Sequence, residues 1–153
     1  MILLLDTTYL LPVIGISIKD IPRDIVIKLI KRDYKVSISE ISIFELSAKG
    51  AKYIAHESLD AERVVRGIKA LLYDDRIDKI SIYDLSILSL AFKLRRILDD
   101  FIDCLILSSA INQADILITE DNNIHILSNM REFIDLVREI NPGFKIMRLK
   151  DIL

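Results

Sequence analysis

Short aliphatic runs alternate along this chain with longer segments whose apolar residues recur at helical spacing. Four of the runs are mainly apolar, two without interruption and two around a single central serine, which is typical of strands in a buried sheet. They span Ile2 to Leu5, Val36 to Ile38, Ile80 to Ile82 and Ile116 to Ile118, and a final strand is predicted from Lys145 to Leu149.

The longer segments predict helices between these strands. Pro22 at a first helical position and Asp84 as an N-cap mark two helix starts, and Asp99 is interpreted as the cap of a third. The predicted helices run from Pro22 to about Arg32, from Glu40 to about Ala55, from Leu59 to Asp74, from Asp84 to Leu98, from Asp99 to a connection at Asn112, and from Phe133 to Glu139.

This alternation predicts an α/β fold. Strands joined by helices of ten or more residues require right-handed crossovers and a mainly parallel sheet. We therefore expect a central sheet of four to five strands with helices on both faces, an α-β-α sandwich. With 153 residues and no linker or repeat, residues 1–153 are expected to form a single domain.

The composition limits the classes of protein to be considered. Half of the residues are hydrophobic (52%), yet charges interrupt every apolar run well before the length of a membrane span. The opening MILLL lacks a basic flank and ends at Asp6, which indicates a buried strand rather than a signal peptide. We expect a cytoplasmic protein with no membrane association.

Few residues have the chemistry of a soft-metal site. Cys104 is the only cysteine and lies in an apolar segment, so an internal disulfide and a cysteine-rich zinc site are excluded. His56 and His125 have no metal-ligand spacing and are interpreted as surface or loop residues. The 29 isoleucines exceed what one small core requires, which favours a homodimer.

Acidic residues follow the strands at the edge where parallel folds bind ligands. Asp6 ends the first strand, Glu45 lies in the first turns after the second, Asp103 begins a helix, and Asp121 follows the strand at Ile116. Hard cations such as Mg²⁺ or Mn²⁺ prefer oxygen ligands of this kind. Such a site suits phosphodiester hydrolysis, in which a metal ion activates the attacking water.

Each acid also has a structural interpretation of its own. Asp6 can cap the following turn, Ser42 and Glu45 have capping-box spacing, Asp100 and Asp103 suit the positive end of a helix dipole, and Asp121 begins a turn-forming Asp-Asn-Asn sequence. Their common position at one predicted edge favours a shared site.

The segments that carry these acids resemble the successive motifs of the PIN-domain nucleases. They are ILLLDTTYL, Ser39-x-x-Ser42-x-x-Glu45-Leu46, the helix from Asp103 to Ala110, and Ile118-Thr119-Glu120-Asp121. The resemblance covers essentially the whole chain in the expected order and is closest to the small VapC-type toxins. It implies an endoribonuclease that cleaves single-stranded or structured RNA with Mg²⁺ or Mn²⁺.

The resemblance also assigns roles to residues. It implies catalytic roles for Asp6, Glu45, Asp103 and Asp121, with Asp6, Asp103 and Asp121 as metal ligands. It implies that the hydroxyl groups of Thr7 and Thr119 support the site. A VapC-type assignment further implies an antitoxin protein as partner.

One position departs from the pattern of the family. Many members carry a further aspartate two residues after the fourth acid, followed by an aromatic residue, and this chain has Asn123 and Ile124 there. Asparagine ligates through its carbonyl oxygen but adds no negative charge. Asp100, one helical turn before Asp103, is expected to compensate in part.

Binding of RNA requires positive charge near the acids, although the net charge of −2 gives no global signal for it. Lys49 and Lys52 follow Glu45 on its predicted helix, and Arg63 and Arg66 lie on the next helix. We predict that these four residues flank the acidic edge. The alternative is that they belong to ordinary solvated helix faces.

Two other functions remain open on the residues alone. A PIN-like module that binds RNA or protein without cleaving is compatible with Asn123. A phosphatase of the haloacid dehalogenase type also begins with a strand that ends in aspartate, but it needs a second aspartate where this chain has Thr8.

Overall fold

Five parallel strands form the centre of the protein, whose structure is a computed structural model describing residues 1–153. They are β1 (Ile2–Leu5), β2 (Lys35–Ser39), β3 (Ile77–Ile80), β4 (Ile116–Ile118) and β5 (Lys145–Met147). Their order across the sheet is β3-β2-β1-β4-β5, and every neighbouring pair is parallel. The predicted α/β class is confirmed.

Seven helices and three short 3-10 turns connect the strands. The helices are α1 (Ile25–Lys31), α2 (Glu40–Ala55), α3 (Ala61–Tyr73), α4 (Leu85–Leu94), α5 (Phe101–Gln113), α6 (Asn122–Leu127) and α7 (Arg131–Ile140), and the 3-10 turns span Thr7–Tyr9, Leu11–Ile14 and Leu149–Asp151. None of the helices combines the length and the apolar character needed to cross a membrane.

The sheet separates two apolar layers. Side chains alternate between its faces, so Leu3 and Leu5 of β1 pack with residues of α1, α2 and α3 in one core, whereas Leu4 packs with residues of α4, α5, α6 and α7 in the other. Each core has its own helices. This is the expected α-β-α sandwich.

Several predicted boundaries were wrong. The third strand lies at Ile77–Ile80 rather than Ile80 to Ile82. It is an edge strand in which only Ile77 is buried, and the charged residues Asp78 and Lys79 interrupt the apolar pattern by which a strand is recognised in the sequence. Helix α1 begins at Ile25, and Pro22 lies in the turn before it, where its carbonyl accepts a hydrogen bond from Ile25. Helix α6 was interpreted as a turn, because its six residues are too few to show helical periodicity.

Two glycines allow α2 and α3 to pack closely against each other and against the turn after β1. A Cβ atom at Gly50 would lie 2.7 Å from Cγ1 of Val64. A Cβ atom at Gly67 would collide with the carbonyl oxygen of Val13 and lie 3.0 Å from Cα of Ile14. The contact at Gly67 is with main-chain atoms, which cannot move aside as a side chain can.

We therefore expect the Gly67→Ala substitution to lower the free energy of unfolding by about 1–3 kcal/mol through overpacking. Alanine has a higher helix propensity than glycine by about 1 kcal/mol, so a loss of stability cannot come from propensity. Chemical denaturation would measure the change.

Gly143→Ala is the matched control, since its added methyl group would meet no atom closer than 3.9 Å. It should change stability by less than about 0.5 kcal/mol. Equal effects of the two substitutions would contradict the proposed close packing of α3.

Candidate active site

Asp6 occupies the C-terminal end of the central strand β1. Its backbone N–H donates to the carbonyl of Ile118 (3.1 Å), which places it beside the end of β4. Its Oδ1 accepts from the N–H of Thr7 (2.7 Å) and its Oδ2 accepts from the hydroxyl of Thr119 (2.6 Å). The predicted turn-capping role of Asp6 is therefore present, and one carboxylate oxygen still reaches the neighbouring strand.

Thr119 joins two of the predicted acids. Its fully buried hydroxyl donates to Asp6 and accepts from the N–H of Asp121 (3.1 Å). His125 lies on α6, and its Nε2 is 2.8 Å from the carbonyl oxygen of Thr119. His125 therefore contacts this loop. His125 is half-buried and lies on a helix rather than in a loop, and this helix was not predicted.

Asp121 begins α6. Its side chain accepts a hydrogen bond from the N–H of Asn123 (2.8 Å) as an N-cap. Asn123 itself is exposed in the first turn of that helix. The Asp-Asn-Asn sequence therefore starts a helix, and the cap fixes Asp121 at the site.

Helix α5 presents Asp103 from its first turn. The cap of this helix is Asp100, whose Oδ1 accepts from the N–H of Ile102 (2.8 Å), so the assignment of the cap to Asp99 was wrong. Asp99 lies outside the helix and is exposed. Asp100 and Asp103 line a cavity of about 380 Å³ together with Asn123. Asn123, the residue that departs from the pattern of the family, therefore lies beside these two acids.

Helix α2 presents Glu45 from its second turn. The helix is capped by Ser39, and the hydroxyl of Ser42 is buried inside α2 without a hydrogen-bond partner. The predicted capping box between Ser42 and Glu45 is thus absent, because α2 begins earlier than that motif requires. The hydroxyl of Thr7 is likewise buried and unpaired, and an unpaired buried hydroxyl costs about 1–3 kcal/mol.

The acids share one electrostatic field. Burial raises the pKa of Asp6, the hydrogen bonds from Thr119 and Thr7 oppose that rise, and the charges of Glu45 and Asp121 add to it. Burial also raises the pKa of Asp103 to about 7, with further contributions from Asp100, Asp6, Asp121 and Glu45. The fold therefore brings the four predicted acids near enough to repel one another.

The chemistry of these side chains fits a hard divalent cation. All of the donors are oxygen atoms, and a cation would relieve the repulsion that raises the pKa values of Asp6 and Asp103. No three histidine, cysteine, aspartate or glutamate side chains form a ready-made ligand shell in the conformation described. The carboxylates therefore have to turn toward a cation to ligate it, and repulsion in its absence favours the separated arrangement.

Glu120 lies between the site residues but has a different role. Its carboxylate accepts hydrogen bonds from the hydroxyl of Tyr9 (2.7 Å), Nη1 of Arg148 (3.0 Å) and the N–H of Leu149 (3.2 Å). Burial disfavours its charged form, but these donors outweigh that effect and lower its pKa. Its charge is neutralised by protein donors and is not available to a cation.

Arg148 fastens the loop that carries Thr119 and Asp121. Besides the carboxylate of Glu120, it donates to the carbonyl of Glu120 (3.0 Å) and to Oδ1 of Asn122 (2.7 Å). Sequence reasoning missed this residue, because it follows β5, far along the chain from the acids. The strand was predicted to run from Lys145 to Leu149 and in the structure ends at Met147, so Arg148 was placed inside the strand rather than after it, at the edge where the acids lie.

The predicted basic residues differ in their surroundings. Lys49 and Lys52 are exposed on α2. Arg66 lines a shallow cavity that also contains Asp74 and Asp75, so acids accompany its charge. Arg63 is half-buried, and its Nη1 donates to the carbonyl of Val13 (2.6 Å). Of the four, Arg63 has its guanidinium fixed in place.

The raised pKa of Asp103 predicts how stability depends on pH without a cation. The folded protein holds this proton up to about pH 7, whereas an unfolded chain releases it near the ordinary pKa of 3.8. Between these values the folded state binds more protons, so stability falls as pH rises. At pH 8 we expect Asp103→Asn to stabilise the metal-free protein by about 1–2 kcal/mol, after allowance for solvent screening.

Thermal melts in EDTA at pH 4.5 and 8 would measure this effect, with Asp75→Asn, exposed between α3 and β3 at the other end of the strands, as the control. Added Mn²⁺ should raise the melting temperature of the wild type and of Asp75→Asn, and not that of Asp103→Asn. An equal Mn²⁺ response in all three proteins would show that the site lies elsewhere.

The contacts of Arg148 predict a positioning role. Arg148→Met removes its hydrogen bonds to Glu120 and Asn122, so the loop of Asp121 is released and the Mn²⁺-dependent rise in melting temperature should shrink by at least half. Arg148→Lys should restore part of that rise. Arg138→Met, on exposed α7, is the control. A full Mn²⁺ response in Arg148→Met would contradict the role.

Comparison with known proteins places this geometry in a family. The model of the PIN domain matches residues 3–129, a segment that contains all four acids. The fold is similar to a solved structure described as "Crystal structure of VapBC2 from Rickettsia felis bound to a DNA fragment from their promoter", with a TM-score of 0.59, 22% identity, and coverage of 97% of this chain and 98% of that one. No curated protein matches the chain. The match over most of the chain confirms the resemblance of its motifs: this protein belongs to the PIN-domain family, whose members are generally nucleases.

Proposed function

We propose that this protein is an endoribonuclease that depends on Mg²⁺ or Mn²⁺. The observation that carries the proposal is the convergence of Asp6, Glu45, Asp103 and Asp121 from four segments into one field, in a chain of the PIN-domain family. Oxygen donors without histidine or cysteine favour these hard cations. Membership of the PIN-domain family also argues against the alternative of a haloacid dehalogenase-type phosphatase.

The residues divide the work of phosphodiester cleavage. A divalent cation held by Asp6, Asp103 and Asp121 would supply charge neutralisation and activation of water. Thr119 holds the carboxylate of Asp6 in orientation through its hydroxyl. Glu45 lies on α2, on the other side of the sheet from α5. It is not assigned to the cation and would accept a proton or orient the attacking water.

Burial sets the ionic state of the site. Asp6 and Asp103 both have raised pKa values, so each is easier to protonate before the cation binds than an ordinary aspartate. Binding of the cation therefore requires release of protons, which favours activity on the alkaline side of neutrality. When the cation is below saturation, cleavage should rise with pH through the pKa of the Asp103 carboxyl, which is about 7.

The exposed apolar side chains support the proposal of protein partners. Phe44 is adjacent to Glu45, and Tyr53 also lies on α2, while Val65 and Tyr73 lie on α3, with exposed fractions from 40% to 75%. We propose that this helix pair contacts a second copy of the chain or an antitoxin, and that the protein is the toxin of a cytoplasmic toxin–antitoxin pair. A small upstream gene for a DNA-binding protein with a disordered tail would support the antitoxin.

A binding module without cleavage is the second candidate, because Asn123 occupies the cavity of Asp100 and Asp103 without adding charge. In a catalytically competent site, Asn123→Asp should strengthen Mn²⁺ binding and increase cleavage. In a binding module it should change neither.

The direct test is incubation of labelled single-stranded RNA with the purified protein and Mn²⁺, with and without EDTA. We expect cleavage that EDTA abolishes and that Asp6→Asn and Asp121→Asn each reduce by about 100-fold or more, since loss of a ligand removes most of the cation's contribution. Asp75→Asn should cleave like the wild type.

Two results would refute the nuclease. One is the absence of EDTA-sensitive cleavage across varied RNA substrates. The other is cleavage at the wild-type rate by Asp6→Asn, which would assign the activity to a contaminant.

A further inference from the structure

A polar cavity of about 240 Å³ lies beside the turn that follows β1, apart from the acids. Its lining consists of Pro12, Gly15, Ser17, Arg23 and Arg63, and it includes no carboxylate. A water molecule occupies about 30 Å³ in the liquid, so the cavity has room for a small anion with part of its hydration shell. Two arginines without an acid in such a cavity indicate an anionic ligand.

Arg63 is the fixed cation of this cavity. Its half-buried guanidinium donates through Nη1 to the carbonyl of Val13 (2.6 Å). This contact forms because α3 approaches that turn closely at Gly67. A guanidinium has five N–H donors, so most of the donors of Arg63 stay free for a ligand.

Arg23 is the mobile cation on the other side. Its Nη2 lies 3.5 Å from the hydroxyl of Ser17, at the limit of a hydrogen bond, and the side chain is exposed. Neither Arg23 nor Arg63 takes part in an ion pair. Gly15, with φ of 101°, adopts a left-handed conformation and keeps the wall of the cavity free of a side chain.

Two unpaired guanidinium groups and a hydroxyl are the donors that recognise a phosphate. Arginine offers parallel N–H groups that match two phosphate oxygens, which makes it the preferred residue for such contacts. A neutral ligand would leave both charges uncompensated.

The cavity lies within reach of a strand that crosses the acids. Pro12 comes six positions after Asp6, and most of the residues between them form 3-10 turns, which rise about 2 Å per residue. Six residues of extended chain span about 20 Å, so the two positions are at most about 20 Å apart. A single strand of a few nucleotides spans this distance.

We propose that the cavity between Arg23 and Arg63 binds a backbone phosphate of the RNA strand, a few nucleotides from the bond that is cut. The inference rests on the proposed function for its ligand, since it takes the polyanion at the acids to be RNA. It adds a second anchoring point that none of the acids supplies.

The test measures binding without cleavage. A fluorescent single-stranded oligoribonucleotide is titrated with protein in EDTA, which removes the cation that cleavage requires, over a series of salt concentrations. We expect Arg23→Gln to weaken binding about threefold to tenfold and to reduce the slope of log K against log salt by about 0.7, the value for one phosphate contact in a single strand.

Two further variants separate the site from general charge and from folding. Arg138→Gln removes an exposed arginine of α7, which packs on the opposite face of the sheet, and should leave both the affinity and the slope unchanged. Arg63→Lys keeps the charge and a donor for Val13 but loses the paired N–H groups, and should weaken binding with little change in melting temperature.

Equal effects of Arg23→Gln and Arg138→Gln on binding would overturn the proposal. Inorganic phosphate at constant ionic strength tests the other source of the same ligand chemistry. A rise in melting temperature with phosphate that Arg23→Gln abolishes, together with unchanged strand binding, would assign the cavity to free phosphate and overturn the RNA assignment.

The two proposals fail separately. If the protein binds the strand through Arg23 but never cuts RNA, the phosphate cavity is supported and the nuclease is refuted. If the protein cuts RNA but binds it independently of Arg23 and Arg63, the nuclease is supported and the phosphate cavity is refuted.

Discussion

The hydrogen bond from the buried hydroxyl of Thr119 to Asp6 joins the ends of the two strands on which the site depends. The parallel register pairs Leu5 with Ile118, so the residues just past these strands meet at one edge. The same hydroxyl receives the N–H of Asp121 and thereby sets the position of the next acid. One threonine thus orients one carboxylate directly and another through the backbone.

Repulsion among carboxylates is the electrostatic cost of this arrangement. Asp6 and Asp103 have raised pKa values because burial and neighbouring acids oppose their charge. Glu120, in the same loop, has a lowered pKa because Tyr9, Arg148 and Leu149 donate to it. Protein donors therefore neutralise Glu120, the acid that holds the loop, whereas the other acids are left for a cation. Repulsion among those acids lowers the stability of the folded protein at the positions where catalysis is proposed.

The parts of the fold that were predictable from sequence are those with strong periodicity. Helix α2 and strand β4 were predicted with their observed bounds, because continuous apolar runs and long amphipathic segments are direct consequences of burial. Strand β3 and helix α6 were not, because an edge strand buries only one full side chain and a helix of six residues shows little more than one turn. The acids were identifiable because the residues that come after parallel strands gather at one edge of the sheet.

The supporting contacts were beyond sequence reasoning for a different reason. Arg148 meets Glu120 across 28 positions of sequence, and Arg63 meets Val13 across 50. No local pattern encodes such pairs, since they depend on how whole elements pack. Asp100 replaced Asp99 as the cap of α5 by a shift of one residue, which composition alone cannot resolve.

The central claim is that buried, mutually repelling carboxylates form a cation site. Calorimetric titration of the protein with Mn²⁺ near pH 7, repeated in buffers of different ionisation enthalpy, tests it most directly, because the buffer dependence counts the protons released. We expect binding with net proton release in the wild type, and no binding in Asp6→Asn or in Asp103→Asn. Binding that releases no proton and persists in Asp6→Asn would contradict it.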